Sequence, residues 1–196
     1  MKKYLLILST ALMSFTNFSN DPTDRIVVPG PLTFNKTTFN IAWTDKPNDT
    51  YYIQEYLPTG ENVEKFNQML TIHLFDKDIK LKDAVQQKVK ELNNRKKTDP
   101  TCNYQVNESP DGKEFMVDFI LGESQGDKMT IVEFNIYRYK QVDLGDKKKG
   151  ILVYAYSKRA YGDDITAFFK NLKNDRTEIL NAMISSEMPT VKISDR

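Results

Sequence analysis

The sequence predicts an α+β fold, in which a mainly antiparallel sheet of about six to seven strands is packed by two main helices. Most apolar residues after residue 31 alternate with polar ones, which is the period of a β-strand. Two segments instead repeat with a period near 3.6, as amphipathic helices do. Short clusters of Gly, Pro, Asn and Asp separate the strand-like segments, and such connections favour antiparallel neighbours.

Three strand-like segments precede the first helix: TTFNIAW (37–43), TYYIQEYL (50–57) and QMLTIHLF (68–75). The turn cluster DKPND separates the first two, which therefore form a predicted hairpin. The third segment contains the chain's only histidine, His73, on the face opposite Leu70, Ile72 and Leu74.

A joint is predicted between the second and third strands. Pro58 cannot donate to a β-ladder and ends the second strand, while Gly60 supplies freedom in φ for a turn. We expect residues 61–66 to form one helical turn, with Glu61 and Glu64 at an exposed corner.

The first helix is predicted within residues 79–97. Its apolar residues form one narrow stripe on an otherwise charged cylinder, which is typical of a helix lying on a sheet: Leu81, Val85, Val89 or Ala84, and Leu92. The basic residues at its end suit a helix C-terminus, where cations interact favourably with the dipole.

Four strands and a final helix complete the prediction. The strand-like segments are CNYQVNE (102–108), KEFMVDFIL (113–121), KMTIVEFNIYRYKQV (128–142) and GILVYAYSKRAY (150–161). The helix is predicted within 163–186, with Asp163 or Asp164 as N-cap and an optional break near Asn174 and Asp175. The predicted order is therefore β-β-β-α-β-β-β-β-α.

The ends of the chain are predicted to lie outside this domain. Residues 1–19 have a positive start and a short apolar core, as a cleavable secretory signal has, although a buried N-terminal strand is the alternative. The predicted organisation is a signal at 1–19, an extended arm at 20–31, a single α+β domain at 32–186 and a loose tail at 187–196.

The charge balance gives no reason to expect nucleic acid or an anionic membrane surface as a partner. The chain has 28 Lys and Arg residues against 27 Asp and Glu residues. Cys102 is the only cysteine, so no internal disulfide is possible, and a lone cysteine is more typical of a small buried residue than of a nucleophile. We expect no stable membrane insertion, and the sequence leaves the oligomeric state open.

Few patterns point to catalysis or metal binding. No phosphate-loop or zinc-protease motif occurs, and His73 in mid-strand is more typical of a structural histidine than of a general base. One histidine and one cysteine are too few for a zinc site, and the DKD of residues 76–78 falls far short of a calcium loop. We therefore expect no cofactor, no metal and no assigned catalytic residue, although a two-carboxylate glycosidase needs no motif and stays open.

The tyrosines of the strands are the most suggestive candidates for a binding site. Aromatic residues that alternate along a strand usually pack beneath a helix, but on an uncovered face they would line an amphipathic surface. The candidate ligand-binding residues are Tyr52, Tyr56, Tyr137, Tyr139, Tyr154, Tyr156 and Arg138.

One segment, YLPTGENVEKFNQMLT (56–71), resembles a family of small exported bacterial proteins of unknown function. That family's pattern is similar to Y-x-P-x-G-E, an aromatic residue that is usually Trp, and then M-x-T. The chain matches it at Tyr56, Pro58, Gly60, Glu61, Met69 and Thr71, with Phe66 in the place of Trp. The resemblance implies export and carries no catalytic residues. The order of elements also resembles the Mog1/PsbP-type α-β-α sandwich, whose members are often non-enzymatic accessory factors.

The sequence thus favours a non-enzymatic, periplasmic or secreted binding or accessory domain of the bacterial envelope. Its expected partner is an envelope or secreted protein, or a small amphipathic ligand, bound at an aromatic-rich sheet surface. The alternative hypothesis is an envelope hydrolase that uses carboxylates with or without His73.

Overall fold

The computed structural model describes residues 22–194, so the expected signal at residues 1–19 lies outside the described residues. Their order of elements is β-β-β-β-α-β-β-β-β-α. The bounds are β1 Leu32–Phe34, β2 Thr37–Asn48, β3 Tyr51–Leu57, β4 Gln68–Phe75, α1 Leu81–Arg95, β5 Asn103–Glu108, β6 Glu114–Gln125, β7 Lys128–Gly145, β8 Lys148–Tyr161 and α2 Ile165–Ser185.

The strands form one eight-stranded sheet in the order β1-β2-β3-β4-β8-β7-β6-β5. Every neighbouring pair is antiparallel. The chain thus builds two four-stranded meanders, β1–β4 and β5–β8, which meet where β4 pairs with β8. The α+β class and the antiparallel sheet are as predicted.

The prediction of six to seven strands is wrong, because β1 adds an eighth. β1 has only three residues, too few to show the alternation that reveals a strand. A two-residue turn joins it to β2, in which Asn35 and Lys36 have φ values of 44° and 65°. Two successive positive φ values are the geometry of the tight hairpin turn that matches the twist of the flanking strands.

The two helices cover opposite faces of the sheet. Successive residues of β8 divide between two apolar clusters, because side chains on a strand alternate between faces. Leu152 and Tyr154 belong to the cluster that includes Phe168 and Leu172 of α2. Val153 belongs to the cluster that includes Val85 of α1. We call these two surfaces the α2 side and the α1 side of the sheet.

Two local expectations are corrected. α2 runs without a break through Asn174 and Asp175, and neither Asp163 nor Asp164 makes a side-chain cap. A short 3-10 turn at Gly162–Asp164 leads into α2 instead, and the backbone N–H of Ile165 donates to the Gly162 carbonyl.

Residues 61–66 form bends and not the expected helical turn. The side chain of Asn62 accepts hydrogen bonds from the backbone N–H groups of Glu64 and Lys65, at 3.0 and 2.9 Å. An Asn side chain that captures nearby backbone donors in this way competes with helix formation. Phe66 still packs with Leu57 and Met69.

The segments before β1 and after α2 both pack on the sheet domain. Ile26 and Val28 of the N-terminal arm are buried in the α2-side cluster, with Val191 of the C-terminal tail. The two segments are also joined directly, because the backbone N–H of Lys192 donates to the carbonyl of Ile26 at 3.0 Å.

Candidate functional site

Four of the candidate tyrosines lie on the α2 side and are buried in the core: Tyr52, Tyr56, Tyr154 and Tyr156. The Tyr56 hydroxyl donates to the carbonyl of Val28 at 2.5 Å and accepts from Gln54 Nε2 at 2.7 Å. The Tyr156 hydroxyl donates to Gln68 Oε1 at 2.9 Å. Burial raises the pKa of the Tyr154 hydroxyl to about 12. These rings therefore fill the space beneath α2 and the arm.

Arg138 also lies on the α2 side, since it pairs in register with Tyr154. Its guanidinium forms an ion pair with Glu114, with an NH2–Oε2 distance of 2.7 Å. Its NH1 donates to the carbonyls of Met183 and Ser186, each at 2.8 Å. Carbonyls at the end of a helix lack partners within the helix, so Arg138 caps α2.

Tyr137 and Tyr139 lie on the other side of the sheet, where they line a half-open pocket beside α1. We call it the α1-side pocket, and its volume is about 50 Å³. Its lining residues are His73, Phe75, Ile79, Ala84, Gln87, Lys88, Glu91, Tyr137, Tyr139 and Val153. The strands supply a mainly aromatic floor, and one edge of α1 supplies an amide, an amine and a carboxylate. Of the seven candidate residues, this pocket brings together only Tyr137 and Tyr139.

His73 is the buried polar residue in the floor of this pocket. It lies on the α1 side because it pairs with Val153 across the β4–β8 ladder. Its Nδ1 lies 2.9 Å from the Tyr51 hydroxyl, while its Nε2 is buried and has no hydrogen-bond partner. Burial, together with the charge of Lys88, lowers the pKa of His73 to about 3, so the ring is neutral at pH 7. A hydroxyl that donates to Nδ1 leaves the proton on Nε2, which is then an unused donor.

Lys88 reaches the same pocket from α1. Its side chain is only 6% exposed, and its Nζ lies 3.1 Å from Oε1 of Glu91, one turn further along the helix. The amine also lies 4.9 Å from the centroid of the Tyr137 ring and 5.4 Å from that of Phe119. Burial lowers the pKa of Lys88, and the charge of Glu91 opposes that effect.

A row of polar side chains continues the α1 side of the sheet beyond the pocket, on β7 and β8. The Ser157 hydroxyl donates to Asn135 Oδ1 at 2.6 Å, and Asn135 Nδ2 donates to Glu133 Oε1 at 3.0 Å. Glu133 in turn accepts a hydrogen bond from Arg159 Nε at 2.6 Å. We call these four residues the polar row. Each is held by its neighbour, so the row has a fixed geometry.

Glu55 on β3 is a carboxylate of this face whose pKa is strongly raised. It pairs in register with Thr71, the residue two positions before His73, so it lies on the α1 side close to the pocket. Burial raises the pKa of Glu55 to about 7. Arg159 lowers the pKa and Glu133 raises it, both by smaller amounts than burial.

The corner residues Glu61 and Glu64 differ in their surroundings. Glu61 is half-buried, and its carboxylate accepts from the backbone N–H groups of Asn67 and Gln68, at 2.7 and 3.1 Å. Glu64 is exposed. Glu61 therefore holds the joint between β3 and β4 in place.

The sequence reading missed Lys88 and Glu55. For Lys88 a signal was present: it lies three residues after Val85 and four before Leu92, which is the spacing of one helix face. The apolar stripe of this helix is complete without Lys88, so the sequence pattern predicts the lysine on the solvent side. For Glu55 no signal exists in the sequence, because its acidity depends on β7 and β8, which are remote along the chain.

Within residues 22–194, no cluster of three or more His, Cys, Asp or Glu side chains could hold a metal ion. None of the helices in this part of the chain is long and apolar enough to cross a membrane. The chemistry that the site offers is therefore hydrogen bonding, a buried amine, carboxylates and aromatic contact.

The fold and the site define a class of α+β domain with a helix on each face of its sheet and a half-open pocket beside one helix. The chain belongs to an uncharacterised protein family, whose model matches residues 26–188. No curated protein and no solved structure matches the chain. The motif at residues 56–71 and the Mog1/PsbP-type resemblance stay predictions.

Proposed function

We propose that the protein is a non-enzymatic exported binding or accessory domain of the bacterial envelope, whose α1-side pocket recognises a small amphipathic ligand or a side chain of a partner protein. Export is proposed from the signal-like residues 1–19. The observation that carries the binding proposal is the pocket itself, which combines an aromatic floor with His73 Nε2 and the amine of Lys88.

The volume of the pocket limits what enters it. Small-molecule sites usually have volumes of about 300–1,000 Å³, whereas one water accounts for about 30 Å³ of liquid. A pocket of about 50 Å³ receives a group of two or three heavy atoms. The rest of the ligand, or the partner to which the group belongs, remains outside and contacts the rim.

The polar groups of the pocket indicate the chemistry of the entering group. The Lys88 amine is a hydrogen-bond donor, His73 Nε2 is a donor in the tautomer whose Nδ1 accepts from the Tyr51 hydroxyl, and Glu91 is a carboxylate acceptor already engaged by Lys88. A carbonyl or carboxylate would satisfy these donors, whereas an ammonium group would be repelled by Lys88. We therefore expect the ligand to present an acceptor to the pocket and an apolar surface to its rim.

Benzoate tests this proposal, because its carboxylate has the size of the pocket and its ring provides the apolar remainder. Titration of tag-free, ¹⁵N-labelled protein should give saturable shifts in the ring nitrogens of His73, which is the only histidine and therefore unambiguous. Benzylamine, with the same ring and the opposite charge, should bind at least about tenfold more weakly. Saturable benzylamine binding as tight as that of benzoate would contradict the proposed preference for an acceptor.

A variant that fills the pocket locates the binding. Ala84→Phe introduces a ring into the lining, whereas Gln86→Phe places the same ring on an exposed position of α1. Ala84→Phe should abolish the benzoate shifts, and Gln86→Phe should retain them. If both variants bind benzoate like the parent protein, the α1-side pocket is not the binding site.

One observation supports the alternative of a carboxylate hydrolase. Glu55 has a pKa of about 7 and lies near Glu133, which is paired with Arg159, and two carboxyl groups of unequal acidity are the usual arrangement of acid and base. This alternative predicts turnover of p-nitrophenyl glycosides that is lost in Glu55→Gln. The binding proposal predicts no turnover by the parent protein or by His73→Gln.

A further inference from the structure

Lys88 occupies a position where packing alone would favour an apolar side chain. The buried residues of α1 are Val85, Lys88 and Leu92, so the lysine lies in the middle of the stripe that faces the sheet. Lysine is almost never fully buried unless it is paired, and taking its charge out of water costs several kcal/mol. A leucine or methionine would complete the stripe without that cost. The presence of the amine therefore calls for an explanation other than packing.

The surroundings of the amine lower its pKa relative to that of an exposed lysine. Lys88 is 6% exposed, and its nearest anion, Glu91, is itself 38% exposed and also lines the pocket. The other close neighbours are the rings of Tyr137 and Phe119. Burial lowers the pKa of Lys88 by more than Glu91 raises it, so a larger fraction is uncharged than in an exposed lysine. Lysines made nucleophilic by desolvation in an apolar pocket are an established chemical device.

We propose that Lys88 is a nucleophile that forms an imine with small aldehydes entering the α1-side pocket. This inference rests on the proposed function, because it uses the same pocket, and it names a covalent mode of capture for one class of ligand. Two further features support it: the pocket admits a group of the size of an aldehyde, and the buried, unpartnered Nε2 of His73 suits a carbonyl or carboxylate oxygen in the tautomer whose Nδ1 accepts from Tyr51.

The reaction is balanced without an oxidant or a reductant. The ammonium of Lys88 loses a proton to Glu91, 3.1 Å away, and the neutral amine attacks the carbonyl carbon. The C–N bond forms as the π bond of the carbonyl breaks, and the attacking nitrogen passes one of its protons to the resulting oxyanion to give the hydroxyl of a carbinolamine. Glu91 then returns a proton to this hydroxyl, which leaves as water, and the nitrogen gives up its last excess proton to the bulk. The net change is amine plus aldehyde to imine plus water.

Reductive trapping tests the proposal on the unmodified chain. The protein is incubated at pH 7 with glyoxylate and sodium cyanoborohydride, which reduces an imine to a stable secondary amine, and the modified lysines are located by peptide mass spectrometry. Lys90 is the matched control, since it lies on the same helix and is exposed. At early times Lys88 should be modified about tenfold more than Lys90, although it is the less accessible of the two. Equal or lower modification of Lys88 would overturn the proposal.

Two variants separate reactivity from mere accessibility. Lys88→Arg keeps the positive charge but cannot form an imine, and it should remove the early adduct. Ala84→Phe keeps the amine and blocks the pocket, and it should lower Lys88 modification to the level of Lys90. Persistence of rapid Lys88 labelling in Ala84→Phe would show that the amine reacts from outside the pocket and would overturn the proposed site.

Failure of this inference is distinguishable from failure of the proposed function. Saturable benzoate binding without preferential trapping of Lys88 would leave the pocket as a non-covalent site and refute the nucleophile. Preferential trapping without benzoate binding would support the nucleophile and refute the proposed preference for amphipathic acceptors.

Discussion

Glu55 binds a proton at neutral pH that a glutamate in water would release. Its half-buried position on β3 disfavours the carboxylate and raises its pKa from 4.5 to about 7. Between these two values the folded chain holds a proton that the unfolded chain does not. The free energy of unfolding therefore falls as pH rises through this interval, and above pH 7 the charged carboxylate destabilises the fold. His73 has the opposite effect on the pH dependence of stability. Its pKa is about 3 in the folded chain and about 6.5 in the unfolded chain, so the free energy of unfolding falls as pH drops below about 6.5.

We expect Glu55→Gln to stabilise the protein in a pH-dependent manner. The free energy of unfolding of the variant should match that of the parent near pH 4.5 and exceed it by about 1–3 kcal/mol at pH 8. Comparing variant and parent at each pH cancels the contribution of His73. Urea unfolding followed by the fluorescence of Trp43, the only tryptophan, measures both proteins. Glu64→Gln, at an exposed position, should show no such trend. A difference that does not change between pH 4.5 and 8 would contradict the raised pKa.

At the scale of the element, Arg138 is the residue that secures α2 to the sheet. Its guanidinium contacts Glu114 on β6 and the carbonyls of Met183 and Ser186 at the end of α2. All of these contacts are on the α2 side, remote from the α1-side pocket. Loss of the guanidinium would remove a donor from each of these carbonyls and would leave Lys140 as the remaining cation at the half-buried Glu114 carboxylate.

Arg138→Met should therefore destabilise the fold by about 2–4 kcal/mol and leave benzoate binding unchanged. Lys140→Met is the matched control, because Lys140 also pairs with Glu114 but is 45% exposed, and it should cost less than about 1 kcal/mol. Urea unfolding gives the stability and the His73 ring shifts give the binding. Equal losses in the two variants would show that the helix cap contributes nothing, and lost benzoate binding in Arg138→Met would place Arg138 at the site.

Elements that are defined by a local apolar pattern could be predicted from the sequence, whereas features that depend on contacts between distant segments could not. α1, α2 and seven strands were predicted because each repeats its own apolar period over six or more residues. β1 was not predicted, because a three-residue strand has no measurable period. The faces of the tyrosines could not be predicted, because they depend on register between strands. Tyr137 pairs with Ala155, whereas Tyr154 pairs with Arg138. The tyrosines of β7 therefore lie on the opposite side of the sheet from those of β8, although the two sets look alike in sequence.

At the scale of the whole molecule, the two faces of the sheet differ in the side chains that they bury. The α2 side carries the larger apolar cluster and is completed by the arm and the tail. The α1 side carries most of the buried polar side chains, which are Thr71, His73, Lys88, Asn135 and Ser157. Buried polar groups cost free energy unless they are paired, and their concentration on one face is what the proposed binding site on that face would require. This asymmetry arises only when β3, β4, β8 and β7 are assembled, so it was not visible in the sequence.

The C-terminal tail is the second segment that completes the α2-side cluster, so its contribution to stability can be measured. Ordering eight residues costs roughly 1–2 kcal/mol of backbone entropy each, so a tail that is held must gain enough from its contacts. Residues 187–194 contribute the buried side chain of Val191 and backbone hydrogen bonds to Ile26 and Arg25. The sequence predicts a loose tail at 187–196, and the partners of residues 187–194 lie more than 160 residues away along the chain.

Val191→Ala should lower the free energy of unfolding by about 1–2 kcal/mol, since it removes buried methyl groups without changing the length of the segment. Lys192→Ala is the control: the side chain is exposed, and the hydrogen bond to Ile26 uses the backbone. Amide hydrogen exchange provides an independent measurement, because the N–H of Lys192 should be protected in the parent protein and exchange faster in Val191→Ala. A silent Val191→Ala together with an unprotected Lys192 amide would mean that the tail is loose in solution and that the arm alone completes the α2 side.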